Sequence, residues 1–185
     1  MADTNNPAAC NCLALRQAAR HVTQFYDQFL APSGLRATQY SIVARLQRKG
    51  PMTINALAAE LVMDRTTLGR NILPLQRDGL IVVGPGKSDR RSKELRLTGR
   101  GVARLRAARK GWSEAQSRFE TAFGAQRAKQ LRALLHEVAT NERTGVPRPK
   151  SHGEIFRPGV SLGKVPSLSS RDAGRAFGRR RDVGA

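Results

Sequence analysis

Residues 53–98 read TINALAAELVMDRTTLGRNILPLQRDGLIVVGPGKSDRRSKELRLT. Ile54, Leu57, Ala58 and Leu61 recur three and four apart, which predicts a short helix with one apolar face. Thr53 stands where a hydroxyl can cap its first amides, and the opposite side can lie over a phosphate backbone. After a turn at Val62 and Met63, Asp64 is placed to cap a second helix that buries Leu68, Ile72 and Leu75. Arg65, Thr66, Thr67 and Arg70 then face outward. Arg pairs bidentately with guanine, and Thr offers a hydroxyl and a methyl group to base edges, so this set suits a major groove. Gly69 and Pro74 are costly inside a helix, and Pro74 is expected to kink it because its ring meets the Arg70 carbonyl and it has no N–H. Asp78 and Gly79 end the helix.

Beyond that end, Leu80, Ile81, Val82 and Val83 predict one short strand and Leu95, Arg96 and Leu97 a second, joined by a loop over 84–94. The loop opens with Gly84, Pro85 and Gly86 and carries Lys87, Arg90, Arg91 and Lys93. A basic hairpin tip beside a helix-turn-helix is a wing, and an Arg there can enter the narrow minor groove, where the negative potential is enhanced. Arg91 is the candidate. Asp89, two residues earlier, reads as a local brace that orients an Arg side chain, or as a turn residue. The expected fold is mainly α: a winged helix-turn-helix with a two-stranded wing, flanked by N- and C-terminal helices that form a dimerisation arm.

Asp89-Arg90-Arg91 followed by Leu95-Arg96-Leu97-Thr98 and Gly101 resembles the wing signature of the MarR family of bacterial transcriptional regulators. The resemblance runs from about Cys10 to Arg143. It takes in Gly34-Leu35 through Gln39-Tyr40, Leu57-Ala58, Arg65-Thr66-Thr67 with Arg70, and Asp78-Gly79-Leu80-Ile81. It implies a homodimer that binds a palindromic operator, usually as a repressor, and lets go when a small molecule or an oxidant acts.

Charge agrees with a nucleic-acid partner. The 185 residues carry a formal net charge of +19, which speaks to association rather than fold. Residues 1–144 contribute +13 and residues 145–185 contribute +6, so the first part is basic without the second. Residues 87–110 hold ten Lys and Arg against only Asp89 and Glu94. Such clustering beside the wing is a phosphate footprint, which an evenly solvated charge face would not produce.

Outside residues 53–97 the chain reads as helical. Over residues 11–31, Leu15, Ala18, Val22, Phe25 and Phe29 follow the spacing of an a/d seam. Residues 36–49 read as a helix that bridges the arm and the DNA reader, ending at Gly50-Pro51. Thr98 caps a long helix with Val102, Leu105, Trp112, Phe119 and Phe123, and after Gly124 a last helix carries Leu131, Leu134, Leu135 and Val138. The helices over 11–31 and 98–143 are read as an intertwined dimer interface, the alternative being plain core packing. Residues 1–9 read as a flexible N-terminus, 10–144 as one domain, and 145–185, with Pro147, Pro149 and Arg179-Arg180-Arg181, as a disordered basic tail.

Cys10 and Cys12 stand at the start of the first helix, where the positive end of the dipole favours thiolate. Cys12-Leu13-Ala14-Leu15 resembles the start of the organic-hydroperoxide-sensing OhrR branch of the same family, which implies a sensor Cys at that place, held by tyrosines. Tyr26 matches one of them, whereas Arg16 and Ala37 stand where that branch has two more. On a helix the two cysteines point about 200° apart and would not pair within one chain without local unwinding, while pairing across a dimer axis stays open. The plain alternative is that both are small packing residues. A competing trigger is a small ligand between the arm and the reader, for the family often an aromatic or phenolic acid, whose carboxylate Arg16, His21 or Arg36 would suit. Either trigger would act by changing the spacing of the two recognition helices, since half-sites one DNA turn apart, about 34 to 36 Å, tolerate little change.

Several classes are excluded. Two cysteines with scattered His21, His136 and His152 give no zinc ligand set, no cofactor motif is present, and no nucleophile motif or phosphate loop is present. An enzyme with a winged helix would need a second folded domain, which residues 145–185 are too few and too polar to build. No secretory signal or spanning segment is read, so a cytoplasmic location on the bacterial nucleoid is expected. The remaining alternative to a sequence-specific regulator is a nonspecific DNA-coating protein that uses the +6 tail.

Overall fold

The computed structural model describes residues 10–86 and 91–140. Helix α1 (Asn11–Leu30) starts at Cys10, whose Sγ accepts the Leu13 amide at 3.4 Å, and ends in a 3-10 turn, Ala31–Ser33. Gly34 follows in the left-handed region at φ +70°, which a residue with a Cβ rarely adopts. Helix α2 (Ala37–Lys49) begins where the Asp27 carboxylate accepts the Ala37 amide at 2.6 Å. The order continues β1 (Met52–Thr53), α3 (Ile54–Glu60), α4 (Arg65–Arg77), β2 (Ile81–Pro85), β3 (Lys93–Leu97), α5 (Gly99–Phe123) and α6 (Ala125–Thr140).

The three expected caps form. Thr53 Oγ1 accepts the Ala56 amide at 3.1 Å, Asp64 Oδ1 accepts the Thr67 amide at 2.8 Å, and Thr98 Oγ1 accepts the Gly101 amide at 2.9 Å. Helix α4 buries Leu68, Ile72 and Leu75 against Leu57 of α3, Val43 and Leu46 of α2, and Leu80 and Ile81 at the base of the wing. Each fully buried leucine of that set contributes on the order of 2 kcal/mol of transfer free energy. Despite Pro74, the helix runs unbroken from Arg65 to Arg77. Pro74 falls in the last turn, so its missing N–H deprives only the Arg70 carbonyl, and the Pro74 carbonyl still accepts the Asp78 amide at 2.9 Å.

The sheet has a strand that residue patterning did not foretell. Its order is β1-β3-β2, all antiparallel, with Met52 opposite Leu95 and Thr53 opposite Glu94. Two residues are too few to show a period of two, so β1 looks like the end of a linker in the sequence. Strands β2 and β3 also reach further than expected. Pro85 pairs with Lys93, and the Gly86 amide donates to the Ser92 carbonyl at 2.9 Å, so Lys93 lies on the strand rather than in the loop.

Helix α5 is the strut between the reader and the rest. At its N-terminus a Cβ on Gly101 would collide with the Leu80 carbonyl, and at its middle a Cβ on Gly111 would collide with the Phe29 carbonyl. Arg104 donates from Nη1 to the Ser33 carbonyl at 2.7 Å. The outer halves of the arm are uncovered within one chain: residues 11–20 are all exposed, as are Leu134 at 60% and Val138 at 51%. No helix among the described residues is long and apolar enough to cross a membrane.

Candidate nucleic-acid interface

The second helix of the helix-turn-helix presents a mainly polar face because Leu68, Ile72 and Leu75 are consumed by the core. Opposite Leu68, Ile72 and Leu75, the side chains of Arg65, Thr66 and Arg70 are exposed. Thr67 is exposed too, yet its hydroxyl and amide both bond the Asp64 carboxylate. Those bonds, the hydroxyl's first, hold the Asp64 carboxyl below the ordinary carboxylate range. Thr67 therefore serves the helix start, and its carbonyl accepts from Asn71 Nδ2 at 2.9 Å. The outward row continues past Arg70 to Leu73, 64% exposed, and Arg77, which pairs with Asp78 at 3.3 Å. Leu73 stands three residues beyond Arg70 and Arg77 four beyond Leu73, on the same outward face.

The turn that joins the two helices holds Val62 at φ +52°, exposed at 67%. Its amide donates to the Ala59 carbonyl at 3.2 Å, and the Met63 amide to the Ala58 carbonyl at 2.9 Å. These bonds set the angle at which α4 leaves α3.

In the wing, Arg91 is exposed at the base of the loop and Lys93 is exposed on β3. Lys87, Asp89 and Arg90 lie outside the described residues. Sequence reading passed over Arg96, which turns out to brace the hairpin. Its Nη2 donates to the Pro85 carbonyl on the opposite strand at 2.6 Å and meets Glu94 Oε2 at 3.4 Å. Lys and Arg also surround Glu60 at the end of α3. Arg45 reaches its carboxylate at 2.8 Å, Lys49 at 3.6 Å and Arg48 at 4.0 Å, and the Arg45 hydrogen bond is the main reason its carboxyl is held low. This clamp fixes α3 on α2.

The candidate trigger residues are spread out. Cys10 and Cys12 are both free and exposed at the start of α1. Tyr26 is 14 residues further along the same helix, roughly 21 Å by the rise of an α-helix, so one chain does not bring it to Cys12. It instead donates from Oη to Gln116 Oε1 of α5 at 2.6 Å. Gln116 Nε2 and Arg132 Nη1 of α6 then donate to Glu120 Oε1 at 2.7 and 2.8 Å. Burial first, then the Glu120 charge, pushes the Tyr26 hydroxyl above its ordinary value. Of the basic residues proposed for a carboxylate, Arg36 lines an open cleft of about 390 Å³ with Asp27, Ala31, Gly34 and Leu35. Arg16 and His21 are exposed on α1 and not part of it. Tyr40 of α2 stacks on Trp112 of α5 at 5.9 Å between centroids.

Comparison with known proteins agrees with this geometry. The MarR family model matches residues 35–93, which span α2, the helix-turn-helix and most of the wing. The homoprotocatechuate degradative operon repressor of Escherichia coli is 28% identical over 125 residues, 68% of this chain and 84% of that one. Among solved structures, the transcriptional regulator MosR from M. tuberculosis is 35% identical, with 72% of this chain and 97% of that one covered and a TM-score of 0.62. The transcriptional repressor CouR bound to a 23-mer DNA duplex is 26% identical, with 71% and 94% covered and a TM-score of 0.64. With this helix-turn-helix and this wing on a helical frame, the chain belongs to the MarR family of transcriptional regulators.

Proposed function

We propose that the protein is a homodimeric repressor that recognises a palindromic operator with α4 and its wing and is released by a small ligand or by oxidation of its N-terminal cysteines. The observation that carries this reading is the exposed row Arg65, Thr66 and Arg70 on a helix whose other face is locked into the core, beside a basic hairpin. Arg and Thr there would read base edges, Arg91 the minor groove, and Lys87, Arg90 and Lys93 the backbone, with Asp89 as their brace. The uncovered apolar residues of α1 and α6 would meet a second copy, which sets two recognition helices at a fixed spacing. A repressor role is supported by the E. coli relative and DNA binding by the CouR complex.

For release, Cys12 with Cys10 is the thiol candidate, and Arg36 in the cleft beside α1 is the anchor for an aromatic carboxylate. The relative's link to an aromatic degradation operon makes such acids the first ligands to try. The test compares binding of the full chain to its own upstream intergenic DNA and to random DNA of equal length. It is run with and without mild peroxide, with the Cys12→Ser protein, and with a truncation after Thr144. Preference for the upstream DNA that survives truncation supports the regulator, and its loss on oxidation in wild type but not in Cys12→Ser assigns the thiol trigger. Preference indifferent to peroxide turns the search to aromatic acids. Equal binding to both DNAs, lost with residues 145–185, would make it a nonspecific DNA-coating protein.

A further inference from the structure

Gly69 is a glycine for which the folded chain gives no reason. It lies inside α4 with ordinary helical backbone, so no positive φ requires it. A Cβ built on it would meet no atom within 4 Å, so no neighbour in the chain requires it either. The contrast with Gly101 and Gly111, where a Cβ would strike a carbonyl, is direct. A glycine in a helix interior is destabilising relative to alanine, so the missing side chain calls for a partner outside the chain.

The next residue along the same ridge is Leu73, one turn on, and 64% of it is exposed. Single exposed leucines are ordinary. This one stands on the face that carries Thr66 and Arg70, where a solvent-facing helix would place a polar residue. Long side chains in a helix lean back toward the N-terminus, so Leu73 inclines over the turn that contains Gly69 without filling the space there. The result is open space over the helix backbone at Gly69 in the Arg65-Gly69-Leu73-Arg77 ridge, one turn before an exposed apolar side chain.

We propose that Gly69 and Leu73 form an apolar notch on the recognition helix that receives the C5-methyl group of a thymine, making both specificity-determining residues for the operator. The methyl is the one apolar group that B-DNA displays in the major groove, and it is small enough to enter a gap left by a missing Cβ. This inference rests on the regulator reading above and adds to it a thymine contact carried by Gly69 and Leu73.

The experiment selects the tightest duplex for the full chain from a random pool, then replaces each thymine in turn by uracil, which removes the methyl group and nothing else. One thymine per half-site should lose about four-fold in affinity, the worth of one buried methyl. Leu73→Ala and Gly69→Ala should each bind the thymine and uracil duplexes equally. Gly69→Ala should also melt about 4 °C higher, because alanine stabilises the helix and meets no clash. A wild-type protein indifferent to every uracil, or a Leu73→Ala protein that keeps the wild-type ratio, overturns the notch while leaving the regulator reading intact. A pool that yields no preferred duplex overturns the regulator reading and the notch with it.

Discussion

The Thr98 hydroxyl donates to the Gly79 carbonyl at 2.7 Å while it accepts the Gly101 amide at 2.9 Å. One residue thus ends the recognition helix's turn and starts α5 with its side chain, and holds the base of the wing with its backbone, because the Thr98 amide donates to the Leu80 carbonyl at 3.0 Å. Thr98→Ala should lower stability by about 2 kcal/mol, a lost cap plus a carbonyl left without its donor. Thr98→Ser keeps the hydroxyl and should recover most of it. Urea denaturation of the three proteins checks this; an alanine variant as stable as wild type would show that backbone bonds alone hold the junction.

Gly111 sets how closely α5 approaches the end of α1. Its alanine variant places a methyl group against the Phe29 carbonyl, which is backbone and has no rotamer with which to retreat. Gly111→Ala should therefore destabilise by about 2 to 3 kcal/mol, in the range of an overpacked core. Gly99→Ala, where nothing lies within 4 Å, is the control and should be neutral or slightly stabilising. Equal melting temperatures for the two variants would contradict the close approach.

Val62 adopts φ +52° in the helix-turn-helix turn, a conformation that crowds a β-branched side chain. Its side chain is 67% exposed, so little burial is lost on replacing it. Val62→Asn should raise stability by about 0.5 to 1 kcal/mol, since Asn tolerates the left-handed region without the entropy that Gly loses on folding. A variant that melts lower than wild type would mean that Val62 makes contacts worth more than its strain.

Asp64 has a carboxyl held below its unfolded value, by the Thr67 hydroxyl first and the Thr67 amide second. For a lowered folded pKa the sign is fixed. The cap contributes fully above the unfolded value of about 3.9, and the contribution disappears as pH falls through the folded value. Asp64→Asn keeps an acceptor for the Thr67 amide but cannot titrate. The stability difference between wild type and this variant should be constant near neutral pH and shrink below about pH 4. A difference independent of pH down to the acid transition would remove the charge from the cap.

Much of this architecture is legible before any coordinates, for a physical reason: caps, apolar spacing and turn residues are local. Thr53, Asp64 and Thr98 cap the helices that their positions predict, and Leu68, Ile72 and Leu75 are the buried face of α4. What spacing cannot show is contact between distant residues. The two-residue strand β1 exists only through its pairing with β3, and Arg96 acts through Pro85, eleven residues away. The Tyr26, Gln116, Glu120 and Arg132 chain joins three helices, so a tyrosine read as a partner for Cys12 is held by α5. Gly69 and Pro74 were visible as departures from good helix sequence, but only the space around Gly69 separates a tolerated glycine from a useful one.

Arg91 follows directly on the loop residues and precedes Ser92, whose carbonyl accepts the Gly86 amide at 2.9 Å and closes the hairpin. With Arg96 bracing the strands below it, the base of the wing beside Arg91 is held together. An Arg that enters a narrow minor groove gains from the groove's enhanced potential, which depends on A·T-rich flanks, whereas a Lys on a phosphate gains equally from every sequence. Arg91→Ala should lower affinity for the selected duplex about ten-fold with the fold intact, and the loss should shrink when the flanks are made G·C-rich. Lys93→Ala should cost less, independently of the flanks, and reduce the salt slope by about 0.9. Titrations at several salt concentrations on both flank types separate the two. Unchanged affinity for Arg91→Ala across them would remove Arg91 from the wing's contact with DNA.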